Sequence, residues 1–495
     1  MSQELSMDNL FAILVLAGVT LFLWLLIRRP SGIPPGPSFT LPIVGNVFQI
    51  GDNPIKTFRN MRKKYGDVFG VYIANRLVVV INGFHNLKEA FVKNGDIFSE
   101  RPHLYFTNTI TKGKGVLGSS GEVWKEQRKF ALFTLRKLGM GKNILELKIQ
   151  EEITSFIEEM ARQNGEATDF RHTIGTSVCN IISSIVFGKR FEYDDPKFVK
   201  FLKIVDENVA MPPALNFFPF LRFLPGDVFK IKLMMRGIET IQRELFKSSI
   251  EQHVASYDED DTDDFISAYI KEMKQKESLG DGNSSSINKE NLRAVIQDLF
   301  IAGMETTSTT IRWLLLYLLH FSDVQEKCFA EIQDNVGCDK TICVEDKTKL
   351  PYLEATIMET LRYANVVPLA LMHGVSKETT FKGYRIPKDA LIVPNIDSVL
   401  SDTAIWGDPE NFRPDRFLDE NGRLTKPEEF IPFLLGPRNC LGESLARMEL
   451  FLFVASMLQK FEFVKGEGNV LPTLQCVLGF TRAPQHFVVR AVLRI

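Results

Sequence analysis

Hydrophobic residues recur at helical spacing through most of the chain, most clearly over Ile144–Ala161, Lys289–Phe321 and Ser444–Phe461, and this periodicity predicts long helices there. Strands are predicted to be short and peripheral: Val68–Ile73 with Leu77–Ile81 near the start, and Gly383–Ile386 with Leu391–Val393 further on. The expected class is therefore mainly α with small β-sheets, an α+β arrangement. The acidic run Asp258–Asp264 and the Gly/Ser-rich run Gly280–Ser286 break the pattern and read as solvated loops.

One apolar segment stands apart. Leu10–Ile27 is interrupted only by Gly18 and Thr20, and as a helix it would extend roughly 27 Å, close to the hydrocarbon thickness of a bilayer. Glu4 and Asp8 precede it, Arg28 and Arg29 follow it, and no small-residue cleavage pattern intervenes, so residues 1–29 are predicted to be a retained membrane anchor spanning about residues 10–27. The positive flank predicts that the chain from Arg28 onward faces the cytosol. Residues 30–37, Pro-Ser-Gly-Ile-Pro-Pro-Gly-Pro, cannot be helical and read as a stiff extended hinge. No second linker and no internal repeat divides residues 38–495, which are read as one catalytic domain.

Composition narrows the function only by exclusion. With 495 residues, 45% hydrophobic and 24% charged, the chain can bury a large core, and a net charge of -2 gives no basic face for nucleic acid. Six cysteines at irregular spacing suit neither a disulfide framework nor a zinc site, which points to a reducing compartment. The 39 phenylalanines fit an apolar ligand pocket or a large helical core equally well. Gly280-Asp281-Gly282 lacks the rest of a dinucleotide fingerprint, so a redox enzyme built on this chain would take its electrons from another protein.

The segment Pro432–Gly442, PFLLGPRNCLG, is the most informative. Cys440 precedes an apolar helical stretch, where free backbone N–H groups and the helix dipole would favour a thiolate. Gly436 and Gly442 permit tight turns and close approach to a flat ligand, and Arg438 offers a cation to a buried carboxylate. A lone cysteine before a helix is ordinarily an inert core residue. Here, however, Phe433, Gly436, Arg438, Cys440 and Gly442 match FxxGxRxCxG, and the segment is similar to the haem-binding signature of the cytochrome P-450 family. Leu434 stands where its microsomal members usually carry serine, and Pro437 is a less common filler. The resemblance implies iron protoporphyrin IX (haem b) with Cys440 as axial ligand, and a thiolate ligand favours oxygen activation.

Leu299–Thr310 lies inside a predicted helix yet contains a glycine and many poor helix formers, a conflict expected at functional sites. A threonine hydroxyl there can take the carbonyl four residues back and open the helix locally; for Thr306 that residue is Ala302. A threonine-rich packing face would look the same. The segment resembles the family's acid–alcohol motif, which makes Glu305 and Thr306 the pair that delivers protons to dioxygen.

Further matches follow in the family's order. Glu359 and Arg362, three apart, would by themselves predict only a surface salt bridge. The resemblance instead places them, with Arg416 of the FRPDRF segment, in a buried network supporting the haem loop. Trp124 and Arg128, stacked four apart on one helix face, match the family's WxxxR and are implied to hold a haem propionate, as is His373. Lys125, Lys129, Arg136 and Lys137 make the same region positive, either a solvated face or a dock for an acidic redox partner. In the family that partner is the NADPH-dependent reductase, with cytochrome b5 as a possible second. By analogy the substrate pocket is lined by Tyr105, Phe106, Leu299, Ala302, Val366, Val367, Leu369, Leu478 and Phe480, an apolar set that favours a lipophilic small molecule. Leu215–Leu224 is either core or a second membrane contact.

The resemblance covers residues 30–495, in the manner of the family-two branch of animal microsomal enzymes. It implies an NADPH- and O2-dependent monooxygenase in the endoplasmic reticulum membrane, its catalytic domain cytosolic, acting on a fatty acid, steroid or xenobiotic. A lipid-peroxide isomerase or dehydratase on the same fold, or a non-catalytic haem or lipid carrier, would have no need of Glu305 and Thr306.

Overall fold

A computed structural model describes residues 11–20, 29–140, 143–209, 213–260, 262–280, 284–466, 468, 470–479 and 481–494. Residues 11–20 are helical, but residue 10 and residues 21–27 of the expected anchor lie outside the described residues, and among the described residues no helix is long and apolar enough to cross a membrane.

The chain divides into two compact units, Met1–Pro102 with Leu369–Asn395, and His103–Pro368 with Ile396–Ile495. The smaller carries the first sheet: β1 (Val68–Ile73) pairs antiparallel with β2 (Arg76–Ile81), whose Val78–Ile81 edge takes β5 (Leu391–Pro394) in parallel. β3 (Thr379–Phe381) and β4 (Tyr384–Ile386) form a separate hairpin. The two late strands foreseen from sequence exist, but they serve different sheets. β5 is buried at every position, as a parallel strand covered on both faces requires. The hinge is not extended throughout: it turns at Ser31 and Gly32, the latter at φ 80°, and only then packs down without helix or strand, with Ile33 and Pro34 buried and Pro35 O accepting the Gly70 N–H at 2.8 Å.

The larger unit is helical. Its elements used below are α1 (Gly121–Lys137), α2 (Asn143–Ala161), α3 (Arg171–Val186), α4 (Pro196–Val209), α5 (Lys289–His320), α6 (Pro351–Ala364) and α7 (Glu443–Lys460). Two small antiparallel pairs complete it: β6 (Phe461–Lys465) with β9 (Val489–Leu493), and β7 (Cys476–Leu478) with β8 (Arg482–Pro484). α5 starts where the Asn288 side chain accepts the Asn291 N–H at 3.0 Å. Its 32 residues are buried almost all round, the pattern of a helix at the centre of a domain rather than on its surface. α3 crosses it closely, since a Cβ on Gly303 would sit 2.6 Å from Ile182 Cδ1. α7, apolar on all sides, packs against α5 and α2.

Candidate active site

Two left-handed residues shape the cysteine loop, Gly436 at φ 79° and Leu434 at φ 63°. The first needs glycine; the second holds a leucine in a conformation that costs about 1 kcal/mol or more. The turn is closed by Asn439 N–H to Gly436 O at 3.1 Å and Cys440 N–H to Phe433 O at 3.0 Å. Gly442, at φ -94°, needs no glycine for its backbone and its Cβ would meet no protein atom, which leaves close approach of a ligand as its remaining use.

Cys440 is a free cysteine that keeps exposed surface, while protein atoms crowd around its thiol. Burial pushes its thiol above the ordinary range and outweighs the Gly442 N–H; Glu443 adds to the rise, while Arg128 and Arg447 oppose it. The helix start alone therefore does not produce the thiolate expected from sequence. A cation on the sulfur would, because metal coordination deprotonates a thiol outright.

Around this loop the larger unit assembles a cationic cradle. Arg438 donates to Val116 O at 3.0 Å and Ser119 O at 2.7 Å, and its guanidinium lies 3.8 Å from the centre of the Trp124 ring. Arg128 donates to Asn439 O at 2.9 Å and Asn439 Oδ1 at 2.7 Å. The Trp124 indole N–H is buried without an acceptor among the described residues. Buried donors ordinarily find partners, so this one marks the place of a missing acceptor. An accessible sulfur, two guanidiniums and an orphaned indole donor fit a metal-centred macrocycle with carboxylates. Along α1 the side chains of Lys125, Lys129, Arg136 and Lys137 are exposed, with Phe133 among them at 67%.

On α5, Thr306 Oγ1 donates to Ala302 O at 2.7 Å, the bond anticipated from sequence. The helix nonetheless continues unbroken, because a carbonyl has two lone pairs and can serve hydroxyl and N–H together. Leu299, Ala302 and Thr306 are half-buried on a helix otherwise largely enclosed, and their spacing puts them on one face. Glu305, about 100° around the helix from Thr306, is 8% exposed and accepts from Thr481 Oγ1 at 2.7 Å and Thr309 Oγ1 at 3.3 Å. It also lines a cleft of about 280 Å³ with Arg171 and His172 of α3, Val199 and Lys203 of α4, and Arg312.

Glu359, Arg362 and Arg416 come together as a buried triad. Arg362 grips Glu359 with two bonds of 2.7 and 2.8 Å, and Arg416 Nε reaches Glu359 Oε1 at 3.1 Å. The remaining guanidinium N–H groups find carbonyls of Leu400, Trp406, Asp408, Pro409 and Asn411.

In the smaller unit His373 is buried beside β5, its backbone paired with Ile392 and its ring against Phe91, with Nδ1 2.6 Å from Phe98 O. A carbonyl only accepts, so Nδ1 carries the proton, and Nε2 of the neutral ring is an acceptor; binding a carboxylate there requires the imidazolium. Leu369, half-buried, is in the same unit. In the larger unit Tyr105 lies under the Arg222 guanidinium at 4.9 Å, Val366 O accepts the Arg482 N–H at 2.8 Å, and Val367 and Leu478 are half-buried. The side chain of Phe106, and Phe480 altogether, lie outside the described residues.

Three residues at this site escaped the sequence reading: Asn439, Thr481 and Glu449. Glu449 is fully buried on α7 beside Thr307, its Oε1 has no partner among the described residues, and burial pushes its carboxyl up to about 8. An acid at an interior position of an apolar helix was the one available signal.

Comparison with known proteins agrees with this geometry. The family described as Cytochrome P-450 matches residues 34–490. Human cytochrome P-450 2U1 is 38% identical over 98% of this chain and 94% of its own length. Human cytochrome P-450 2C8 is 39% identical over 91% of the chain and 92% of its own, and chicken cytochrome P-450 2H2 is 40% identical over 91% of each.

Proposed function

The chain belongs to the cytochrome P-450 family of haem-dependent monooxygenases, and we propose that this member hydroxylates or epoxidises a lipophilic small molecule, a fatty acid, steroid or xenobiotic. O2 would be the oxidant, and the electrons would come from NADPH through a flavoprotein reductase. The observation that carries the reading is Cys440, a free cysteine with exposed surface in a loop bordered by the orphaned Trp124 donor and the guanidiniums of Arg128 and Arg438. Haem b, when bound, supplies the activation of O2.

The chain's own residues orient and supply protons. Cys440 would ligate the iron; Trp124, Arg128 and Arg438 would receive the carboxylates, and His373, as imidazolium, is the smaller unit's own candidate for a carboxylate. Phe433 contributes the carbonyl that holds the Cys440 N–H. Thr306 keeps its hydroxyl on α5 with its proton committed to Ala302 O, leaving its oxygen lone pairs open to a proton donor. Glu305 would hold a proton reached from the cleft beside α3 and α4. Leu299, Ala302, Val366, Val367 and Leu478, with Tyr105, Phe106 and Phe480, would enclose an apolar substrate and exclude water, and Leu369 is the smaller unit's own candidate for contact with it.

The exposed cations of α1 with Phe133 suit a negatively charged redox partner, the NADPH–cytochrome reductase or cytochrome b5. An anchor over residues 10–27 would hold the domain on the cytosolic face of the endoplasmic reticulum membrane, assisted by Phe220, Phe223 and Leu224, all exposed. The test is the absorbance of the reduced, carbon-monoxide-bound protein. A strongly red-shifted Soret band, lost in Cys440→Ser, is expected; a band at the histidine-haem position would overturn the reading.

A further inference from the structure

We propose that Thr481 is a positioning residue for Glu305: its hydroxyl fixes the rotamer of the α5 carboxylate from the turn between β7 and β8. This rests on the reading that Glu305 handles protons. The two residues are 176 apart in sequence, and Thr481 Oγ1 donates to Glu305 Oε1 at 2.7 Å. The Thr309 hydroxyl, one turn along α5, approaches the same oxygen only at 3.3 Å. Thr481 is 2% exposed, so its O–H has no bulk water to turn to and is committed to an acceptor.

The turn that carries Thr481 is itself held in place. Gly479 N–H meets Thr481 O at 3.0 Å, Arg482 N–H meets Val366 O at 2.8 Å, and Trp313 Nε1 meets Arg482 O at 2.8 Å. Arg312 reaches Pro484 O at 3.3 Å. α5 thus fixes the turn from Trp313 and Arg312, and the turn returns a hydroxyl to α5 two helical turns earlier. A free glutamate would sample several staggered rotamers. Bonded by Thr481, with Thr309 farther off, and bordering the cleft of Arg171, His172, Lys203 and Arg312, this one has its orientation set from the turn. The threonine is also adjacent to the pocket-lining residues 478–480, so the acid's position is set by the same turn that would meet substrate.

The test uses the haem-loaded protein with NADPH–cytochrome reductase and no added substrate, comparing wild type, Thr481→Val, Thr481→Ser and Glu305→Gln. Two quantities are read: the share of NADPH oxidation recovered as hydrogen peroxide (NADPH + H+ + O2 giving NADP+ + H2O2) with its solvent deuterium isotope effect, and the infrared carboxyl band that Glu305→Gln removes from pH-difference spectra. Thr481→Val, isosteric but without a donor, is expected to change the peroxide share by about fivefold or more, the scale of one lost charge-assisted hydrogen bond. It is also expected to shift the carboxyl band, while Thr481→Ser restores both. If Glu305→Gln changes the peroxide share and Thr481→Val changes neither quantity, the positioning role is refuted. If Glu305→Gln itself leaves peroxide and isotope effect as in wild type, the proton-handling reading fails and this inference with it. Loss of haem or of the thiolate Soret band in Thr481→Val would make the residue structural and overturn the assignment.

Discussion

Glu359 and Arg416, 57 residues apart, meet at 3.1 Å inside the protein, where Glu359 has no accessible surface and already accepts two bonds from Arg362. The same Glu359 Oε1 takes the Arg413 backbone N–H at 2.9 Å, so one carboxylate joins α6 to the segment that runs on toward the cysteine loop. Buried charges are tolerable here because the carboxylate is shared by two guanidiniums and a backbone N–H, and the guanidiniums donate further to backbone carbonyls.

Removing one member leaves the others charged and dry. Glu359→Gln and Arg416→Leu are each expected to lower unfolding stability by about 3–5 kcal/mol, read as a fall in the urea midpoint. Arg416→Lys should recover little, since an ammonium cannot reproduce the guanidinium's simultaneous bonds to Glu359, Trp406 O and Asn411 O. Wild-type stability in Arg416→Lys would show that charge alone suffices.

Trp124→Phe keeps an aromatic face under Arg438 but removes the orphaned indole donor together with the rest of the five-membered ring. Because Trp124 is buried, the lost ring atoms should also lower the stability of the haem-free protein, by about 1–2 kcal/mol, read separately from its urea midpoint. Transfer of haem to apomyoglobin should accelerate by about tenfold, one hydrogen bond to a carboxylate. An unchanged transfer rate would mean that Nε1 meets no ligand carboxylate.

Glu449 gives the protein a pH dependence of known sign. Its carboxyl titrates near 8 when folded, against an ordinary value of 4.5. Between those values the unfolded chain is ionised while the folded one holds the proton. Folding then takes up a proton, and stability falls as pH rises from about 4.5 to about 8 before levelling off. The full effect is at most about 5 kcal/mol. Glu449→Gln should flatten this part of the profile and raise the melting temperature at pH 8 more than at pH 5. An equal change at both pH values would place the ionisation elsewhere.

The close crossing of α3 and α5 predicts a compensating pair. Gly303→Ala adds a Cβ within 2.6 Å of Ile182 Cδ1 and 2.9 Å of Ile182 Cγ1. Overpacking of about 1–3 kcal/mol should outweigh the roughly 1 kcal/mol that alanine brings to a helix. In an Ile182→Ala background the clash is removed and the same substitution should be neutral or stabilising. Additive effects in a double-mutant cycle would show that the helices simply move apart.

The sequence by itself determined the helical class, the boundaries of α2, α5 and α7 to within a residue or so, β1 and β2, the Cys440 loop, and the Thr306–Ala302 bond. These are properties of neighbours in the chain: apolar periodicity, glycine placement, and a hydroxyl four residues from a carbonyl. What lay beyond reach was set by pairs distant in sequence. That β5 joins β2 and not β4, that Glu305 is held by Thr481, and that Glu449 is an enclosed acid all follow from which elements pack together, whereas the buried place of Glu359, which spacing alone put at the surface, was already implied by the family resemblance and is seen here. The Cys440 thiol makes the same point. Its position before a helix was legible, but its environment favours the neutral thiol, because desolvation depends on every atom that surrounds the sulfur and not only on the helix that begins beside it.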